Sequence, residues 1–178
     1  FSPAVNTACY LRLPSAKDKA EDVIRLFKPI LEDQNKVLIS NDVKDDIIWL
    51  RRAGVEILNK IFDVKIAHYV LQPDSSHELE RVALEMLNYR LIKGDNTENP
   101  QLSLFPDEGA KKDKDFAERT DILFRLKEKL EEALQEVGLY KLYEEIEMPL
   151  VSVLADMEYE GVSIDKVALD ELSEDLKI

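Results

Sequence analysis

The sequence has few of the residues that form disulfides, zinc sites and membrane spans. Cys9 is its single cysteine, so no disulfide can form within the chain, and one thiol is typical of a reducing cytoplasm. His68 and His77 are the two histidines, and together with Cys9 they do not follow a zinc-ligand spacing. No signal peptide and no apolar run of membrane-spanning length is recognisable. We therefore expect a cytoplasmic protein without membrane contact.

Positive charge is also scarce. The chain has 24 lysines and arginines against 37 acids, a net charge of −13, which weakens any proposal that it grips a nucleic-acid backbone alone. Its 178 residues, 45% of them hydrophobic, suffice for one α/β domain and the beginning of a second. Because the sequence starts at Phe1 and not at a methionine, we expect a segment of a longer chain.

Apolar periodicity predicts alternating strands and helices in the first third of the chain. Residues 7–13 alternate apolar with polar or small side chains and end at Pro14, as in a half-buried strand. Residues 20–31 repeat apolar side chains at helical spacing, and residues 36–39 are a short aliphatic run suited to a buried strand. A second helix follows and ends at Gly54. This order predicts an α/β layered domain.

The remainder is predicted to be mainly helical. Residues 61–71 form one predicted helix, and Ser75 with Glu78 has the spacing of a capping box that opens the next. The two histidines lack a recognisable catalytic partner, so we interpret His68 and His77 as helix-surface or capping residues.

A polar break precedes the last helices. Residues 94–112 are rich in Asp, Asn, Pro, Gly and Lys and predict a mobile loop. A long helix is predicted over 114–137, on an apolar stripe of leucines. The last helix is predicted to be capped by Asp165, and its inner side to consist of Leu169, Leu172 and Leu176.

Acidic residues gather where the strand 36–39 turns into a helix. Asn41 and Asp42 are N-cap candidates, and Asp45 falls in the first helical turn. The helix dipole keeps a carboxylate there ionised, as a ligand of a divalent metal must be. From the residues alone, a capping box formed by Asp42 and Asp45 is the favoured alternative.

Two parts of the sequence resemble the family-A DNA polymerases. The stretch 146–158 and the residues 161–165 resemble the segment that opens the polymerase part of this family. The residues 62–71 and 76–79 resemble middle helices of its 3′→5′ exonuclease domain. The resemblance implies a ribonuclease-H-like mixed sheet flanked by helices, truncated at its N-terminal strand and carrying a C-terminal helical extension. It also implies an exonuclease-like domain over 1–138 and the helical start of a polymerase domain over 139–178.

The same resemblance implies a chemistry for the acidic turn. Asn41 and Asp45 coincide with the Asn-x-x-x-Asp of the family's second exonuclease motif. That family hydrolyses the 3′-terminal phosphodiester with two Mg²⁺ ions, so Asp45 would bind a metal and Asn41 would orient the site. The first motif, Asp-x-Glu, would lie before Phe1. We therefore expect Mg²⁺ in the parent enzyme and little or none in this segment.

The third motif of the family, Tyr-x-x-x-Asp, is where the sequence departs from the pattern. One register places Asp115 and Arg119 at the two motif positions, and the other places Phe116 and Thr120 there. Both registers lose the ligand carboxylate, and a guanidinium would repel a metal. Asp121 remains as a helix acid with a structural role. We therefore expect lost or impaired proofreading and a scaffold role, with DNA met through the full-length polymerase.

Two other enzyme hypotheses stay open. In the first, the exonuclease is active because Asp115, Glu118 or Asp121 substitutes for the lost ligand. In the second, the chain is a free-standing exonuclease of the related RNA-trimming type. The polymerase-like residues 149–165 disfavour the second hypothesis.

A small apolar island lies in the predicted loop, between Pro100 and Pro106. The island either packs back onto the domain or serves as a docking peptide. The pentapeptide 101–105 resembles the Gln-Leu-Ser-Leu-Phe consensus that bacterial replication and repair proteins use to bind the sliding clamp. This resemblance implies partner-binding roles for four side chains: Gln101, Leu102, Leu104 and Phe105.

Overall fold

The computed structural model describes residues 2–92 and 108–176, and in the second range the side chains from residue 115 onward. The first part contains a helix-rich α/β arrangement around two short strands. Its elements are α1 (Lys17–Arg25), α2 (Lys28–Leu31), β1 (Val37–Ser40), α3 (Val43–Arg52), β2 (Lys60–Asp63), α4 (Val64–Leu71) and α5 (Leu79–Leu87).

The second part is helical throughout. Its elements are α6 (Glu108–Glu136), α7 (Tyr140–Leu142), a π-helical turn (Tyr143–Glu147), α8 (Met148–Glu160) and α9 (Lys166–Asp175). Helix α6 packs against α4, α5 and β1, and α8 packs against α3. In the ranges the structure describes, no helix has the length and apolar character needed to cross a membrane.

The two strands are parallel. Val37 lies opposite Lys60 and Ser40 opposite Asp63, with α3 as the crossover between the strands. The predicted α/β class is confirmed, but the described sheet has two parallel strands and is not mixed. Both strands end at the same edge, so the residues after β1 and after β2 meet there.

The main core forms where α6 crosses α4 and α5. Leu126, Leu130 and Leu134 are fully buried on one stripe of α6, as the leucine spacing predicts. They pack with residues of β2, α4 and α5, and with Tyr143 of the π-helical turn. A second cluster joins α3 to α8, and a third joins α1 and α2 to the residues after α3.

Two predictions of secondary structure in the first part are wrong. Residues 7–13 form no strand, because no strand of the described chain pairs with them; Tyr10 instead stacks on Phe116 of α6 at 5.4 Å between ring centroids. The helix predicted from Ile61 begins only at Val64, because Lys60–Asp63 is a strand. A four-residue strand followed at once by a helix leaves one merged apolar pattern in the sequence.

Three further predictions need correction. His68 is fully buried, although we predicted it at the surface. Ser75 and Glu78 form no capping box, since Glu78 is the N-cap of α5 without a capping side chain and the Ser75 hydroxyl lies 3.5 Å from Glu85. Of the predicted loop, residues 108–112 belong to α6, and the remainder, 94–107, lies outside the described residues.

The last helix is capped as predicted but not packed as predicted. The Asp165 carboxylate accepts hydrogen bonds from the N–H groups of Val167 and Ala168 at 3.1 and 3.2 Å. The predicted inner side is at least half exposed at Leu169, Leu172 and Leu176. No described element covers this face.

Candidate functional site

Helix α3, which follows β1, is capped by Asp63 and not by the predicted N-cap Asp42. Asp42 adopts a left-handed backbone with φ of 75°, and its side chain does not cap α3. It pairs with Lys65 at 2.5 Å. The cap is Asp63, whose Oδ2 accepts from the N–H of Val43 at 2.6 Å. The predicted capping box of Asp42 and Asp45 is therefore wrong.

Asp63 caps two helices with one carboxylate. Its Oδ1 accepts from the N–H of Ile66 in α4 at 3.0 Å, while its Oδ2 accepts from the N–H of Val43 in α3. Complete burial raises the pKa of Asp63, and the N–H groups of Val43 and Ile66 oppose that rise. An aspartate between a β-branched run and a helical stripe is an N-cap signal, and this signal could have identified Asp63 in the sequence.

The two second-motif residues, Asn41 and Asp45, differ in their exposure at this turn. Asp45 is exposed on the first turn of α3, in an open hollow of about 490 Å³ that Asp46, Arg52 and Glu158 also line. The Oδ1 atom of Asn41 is buried and accepts no hydrogen bond within the described chain. Over residues 2–92 and 115–176, no three His, Cys, Asp or Glu side chains are grouped to hold a metal ion.

The third-motif positions are engaged in contacts within the protein. The Arg119 guanidinium forms an ion pair with Glu80 of α5 and lies 3.5 Å from the Asp115 carboxylate. In the other register, the Thr120 hydroxyl donates to the carbonyl of Phe116 at 2.8 Å. Neither register presents a free carboxylate at the ligand position.

The acids that could substitute for the lost ligand also have partners. Glu118 accepts from the Tyr89 hydroxyl at 2.7 Å and from the N–H of Ile92 at 3.1 Å. Asp121 accepts from the N–H of Asn6 and lies 3.5 Å from Arg125. These contacts fix the segment before residue 93 and the N-terminal segment onto α6.

A groove beside β1 lies between the start of α3 and the third-motif position Thr120. The groove measures about 910 Å³ and is lined by Ser40 and Asp46 on one side and by Thr120 and Phe124 of α6 on the other. Asp45 lines the separate hollow beside Glu158. The structure thus brings Thr120 towards the second-motif helix, and it does not place Asp45 in that groove. Gln101, Leu102, Leu104 and Phe105, the residues predicted to bind a partner, lie outside the described residues.

Comparison with known proteins gives one consistent assignment. Residues 2–135 match the family model described as the 3′-5′ exonuclease of the DNA polymerase A type. DNA polymerase I of Rhizobium leguminosarum is 29% identical over 161 residues, which are 87% of this chain and 16% of that protein. DNA polymerase I of Treponema pallidum is 30% identical over 156 residues, which are 85% of this chain and 15% of that protein.

A solved structure has the same fold over most of the chain. The polymerase domain of Pol1 from M. smegmatis, in complex with DNA primer-template and dNTP, superposes with a TM-score of 0.66 at 19% identity. The match covers 90% of this chain and 25% of that one. The chain spans less than a fifth of the length of the two curated relatives above. It belongs to the 3′-5′ exonuclease domain family of the bacterial DNA polymerases I.

Proposed function

We propose that this domain is a structural part of a DNA polymerase I and does not proofread. The observation that carries the proposal is the ion pair of Arg119 with Glu80. In one register Arg119 stands at the position of the third-motif aspartate, and it forms ion pairs with both Glu80 and Asp115. In the other register the ligand position is Thr120, whose hydroxyl donates a hydrogen bond to the carbonyl oxygen of Phe116.

The Mg²⁺ ions of the family do not fit the residues present. Two-metal hydrolysis needs carboxylates clustered around both ions. Asp45 lines a different hollow from the groove that Thr120 lines. In one register Arg119 takes the place of the third-motif aspartate, and a guanidinium there would repel a divalent cation. We therefore derive no hydrolytic step for this chain.

Contacts between the exonuclease-like part and the C-terminal helices support a scaffold role. Arg51 of α3 binds Asp156 of α8 at 2.5 Å, and its guanidinium lies 5.4 Å from the ring centroid of Tyr159. Lys60 of β2 binds Glu144 of the π-helical turn at 2.6 Å. These bonds fasten the π-helical turn and α8 to the domain, as a scaffold for a following polymerase domain requires.

We extend the proposal to the longer protein. Val37–Ser40 pairs only with β2 in the part of the chain that the structure describes, and its other edge faces the groove. That open edge supports a larger, ribonuclease-H-like mixed sheet in the longer protein. The longer protein would be a cytoplasmic enzyme of DNA replication and repair, and it would meet DNA through its polymerase part.

The test is excision by the full-length polymerase. A labelled primer with a mismatched 3′ end is incubated with Mg²⁺ or Mn²⁺ in the absence of nucleotides, with wild type, Asp45→Ala and Asp170→Ala. Asp170 is an exposed acid of α9 and serves as a matched control. We expect equal, background excision by all three proteins. Excision by wild type and Asp170→Ala that Asp45→Ala abolishes would establish the rival hypothesis of an active exonuclease.

A second candidate function concerns the pentapeptide 101–105. Its match to the clamp-binding consensus favours a direct interaction with a bacterial sliding clamp, in which Leu104 and Phe105 fill an apolar pocket and Gln101 makes orienting hydrogen bonds. Few anchor residues predict an affinity on the order of micromolar. Titrating the clamp against wild type and the double variant Leu104→Ala/Phe105→Ala tests this. Equal binding by both proteins, or none by either, would contradict it.

A further inference from the structure

A chain of three titratable side chains lies away from both motifs, where α4 meets α5. His68 of α4 is fully buried. Its Nδ1 lies 2.9 Å from Nδ1 of His77, and its Nε2 lies 3.1 Å from Oε2 of Glu85 in α5. His77 belongs to the connection between the two helices, and its ring also makes an edge contact with Tyr69, at 5.5 Å between centroids. None of these three residues belongs to either exonuclease motif.

Hydrogen-bond chemistry fixes the tautomers of His68 and His77. An ionised carboxylate only accepts, so Nε2 of His68 carries the hydrogen that Glu85 receives. The neutral His68 ring then has a lone pair at Nδ1, and the Nδ1–H of His77 must donate to it. Nε2 of His77 is left as the basic nitrogen. Although burial opposes it, hydrogen bonds from Arg81 and His68 hold the pKa of Glu85 below its ordinary value, so Glu85 is the charged end.

We propose that His77, His68 and Glu85 form a one-proton latch that closes the connection between α4 and α5 and opens when a second proton binds. The first proton binds Nε2 of His77 and leaves every hydrogen bond of the chain intact. The second must bind Nδ1 of His68. Both Nδ1 atoms then carry hydrogens 2.9 Å apart, so the bond between the rings is lost and two positive rings repel each other.

The surroundings of His68 separate the two protonation steps. The charged groups that act on its ring are Glu85 and Arg81 of α5 and the ring of His77. Burial, with smaller effects from His77 and Arg81, lowers the pKa of His68, and the hydrogen bond to Glu85 opposes this. Burial therefore moves the protonation of His68 to lower pH. Opening frees residues 72–78 while α4 and α5 stay packed on α6.

The tautomers and the two steps can be measured by ¹⁵N NMR of the imidazole rings in the 178-residue chain. At pH 7.5 we expect His68 with hydrogen on Nε2 and His77 with hydrogen on Nδ1, joined by a coupling across the N–H···N bond. One proton taken up by the pair should add a hydrogen at Nε2 of His77 and leave the coupling across the N–H···N bond intact. A His68 ring with hydrogen on Nδ1 at pH 7.5, or simultaneous protonation of both rings, would overturn the proposal.

Two variants separate the latch from simple packing. In His77→Asn the amide can replace the Nδ1–H donor and cannot titrate, so the first proton uptake should vanish while amide exchange of residues 72–78 at pH 7.5 stays as in wild type. In Glu85→Gln the negative end is removed, so the pair of rings should take up its proton at lower pH than in wild type. Unchanged proton uptake in both variants would contradict the latch. Hydrogen exchange at 72–78 should rise roughly tenfold only when His68 protonates; a rise that accompanies the first proton would also contradict it.

Discussion

The Tyr143 hydroxyl accepts a hydrogen bond from the N–H of Asp63 at 2.8 Å and lies 3.3 Å from the carbonyl oxygen of the same residue, to which it donates. Both residues are buried, and burial raises the pKa of Tyr143 well above its ordinary value. This pair joins the end of β2, where two helices are capped, to the C-terminal helical part. It is one of the buried contacts through which the two parts of the chain depend on each other.

Tyr143→Phe tests that dependence. The substitution keeps the ring that packs on Phe62 and leaves the buried N–H of Asp63 without its acceptor, so the free energy of unfolding should fall by about 1–3 kcal/mol. Urea denaturation followed by circular dichroism measures it. Tyr140→Phe is the control, because its hydroxyl makes only a long bond of 3.4 Å to Glu131. Equal losses in the two variants would contradict the special role of Tyr143.

Asp63→Asn should destabilise the protein through its caps. An asparagine offers one acceptor oxygen, so it cannot accept from both Val43 and Ile66, and a loss of about 1–2 kcal/mol is expected. The control is Asp42→Asn, which weakens only the half-exposed pair with Lys65 and should cost less than about 1 kcal/mol. If Asp42→Asn is the more damaging change, the assignment of the cap to Asp63 is wrong.

Leu130→Ala should reduce stability by about 2–5 kcal/mol, because this side chain is fully buried where α6 crosses α4 and α5. Thermal or urea unfolding gives the value. Val137→Ala, just beyond the same helix, serves as a control because Val137 is 58% exposed and its truncation should change little. Comparable losses in both would mean that the leucine stripe is not the main core.

Stability should fall as the pH is lowered from 7.5 to 5.5. Burial depresses the pKa of His68 in the folded state below the unfolded value of 6.5, so the unfolded chain binds more protons in this range. The contribution of neutral His68 is complete above about pH 6.5 and decreases below it. Urea unfolding of wild type and His68→Asn across this range measures the effect. A wild-type stability that rises on acidification, or an identical slope in the variant, would contradict it.

The sequence predicted long, regular features better than short or paired ones. The leucines of α6, the strand at Val37 and the helix after it repeat at spacings that local sequence alone reveals. The strand Lys60–Asp63 was missed because four residues running directly into a helix show no period of their own. Residues 7–13 alternate like a strand but have no described partner, and pairing is a property of the fold and not of the segment.

Of the candidate site, the sequence alone predicted only the loss of the third-motif carboxylate. Arg119 and Thr120 depart from the family pattern by inspection of the sequence, and the structure supplies the partners Glu80 and Phe116. No local pattern predicts that Asp63 caps α3 at Val43, 20 residues earlier in the chain. The same holds for His68, whose partners His77 and Glu85 lie 9 and 17 residues further on.

The central claim, that this domain does not proofread, is tested most directly by the rate at which the wild-type full-length polymerase removes a mismatched 3′ nucleotide. The rate is measured in Mg²⁺ and again in the presence of EDTA, with release of the terminal mononucleotide as the signal. We predict that the two rates are equal and at background, because over residues 2–92 and 115–176 no carboxylates are grouped to hold a metal ion. A metal-dependent rate well above background that favours mismatched over matched ends would contradict the claim.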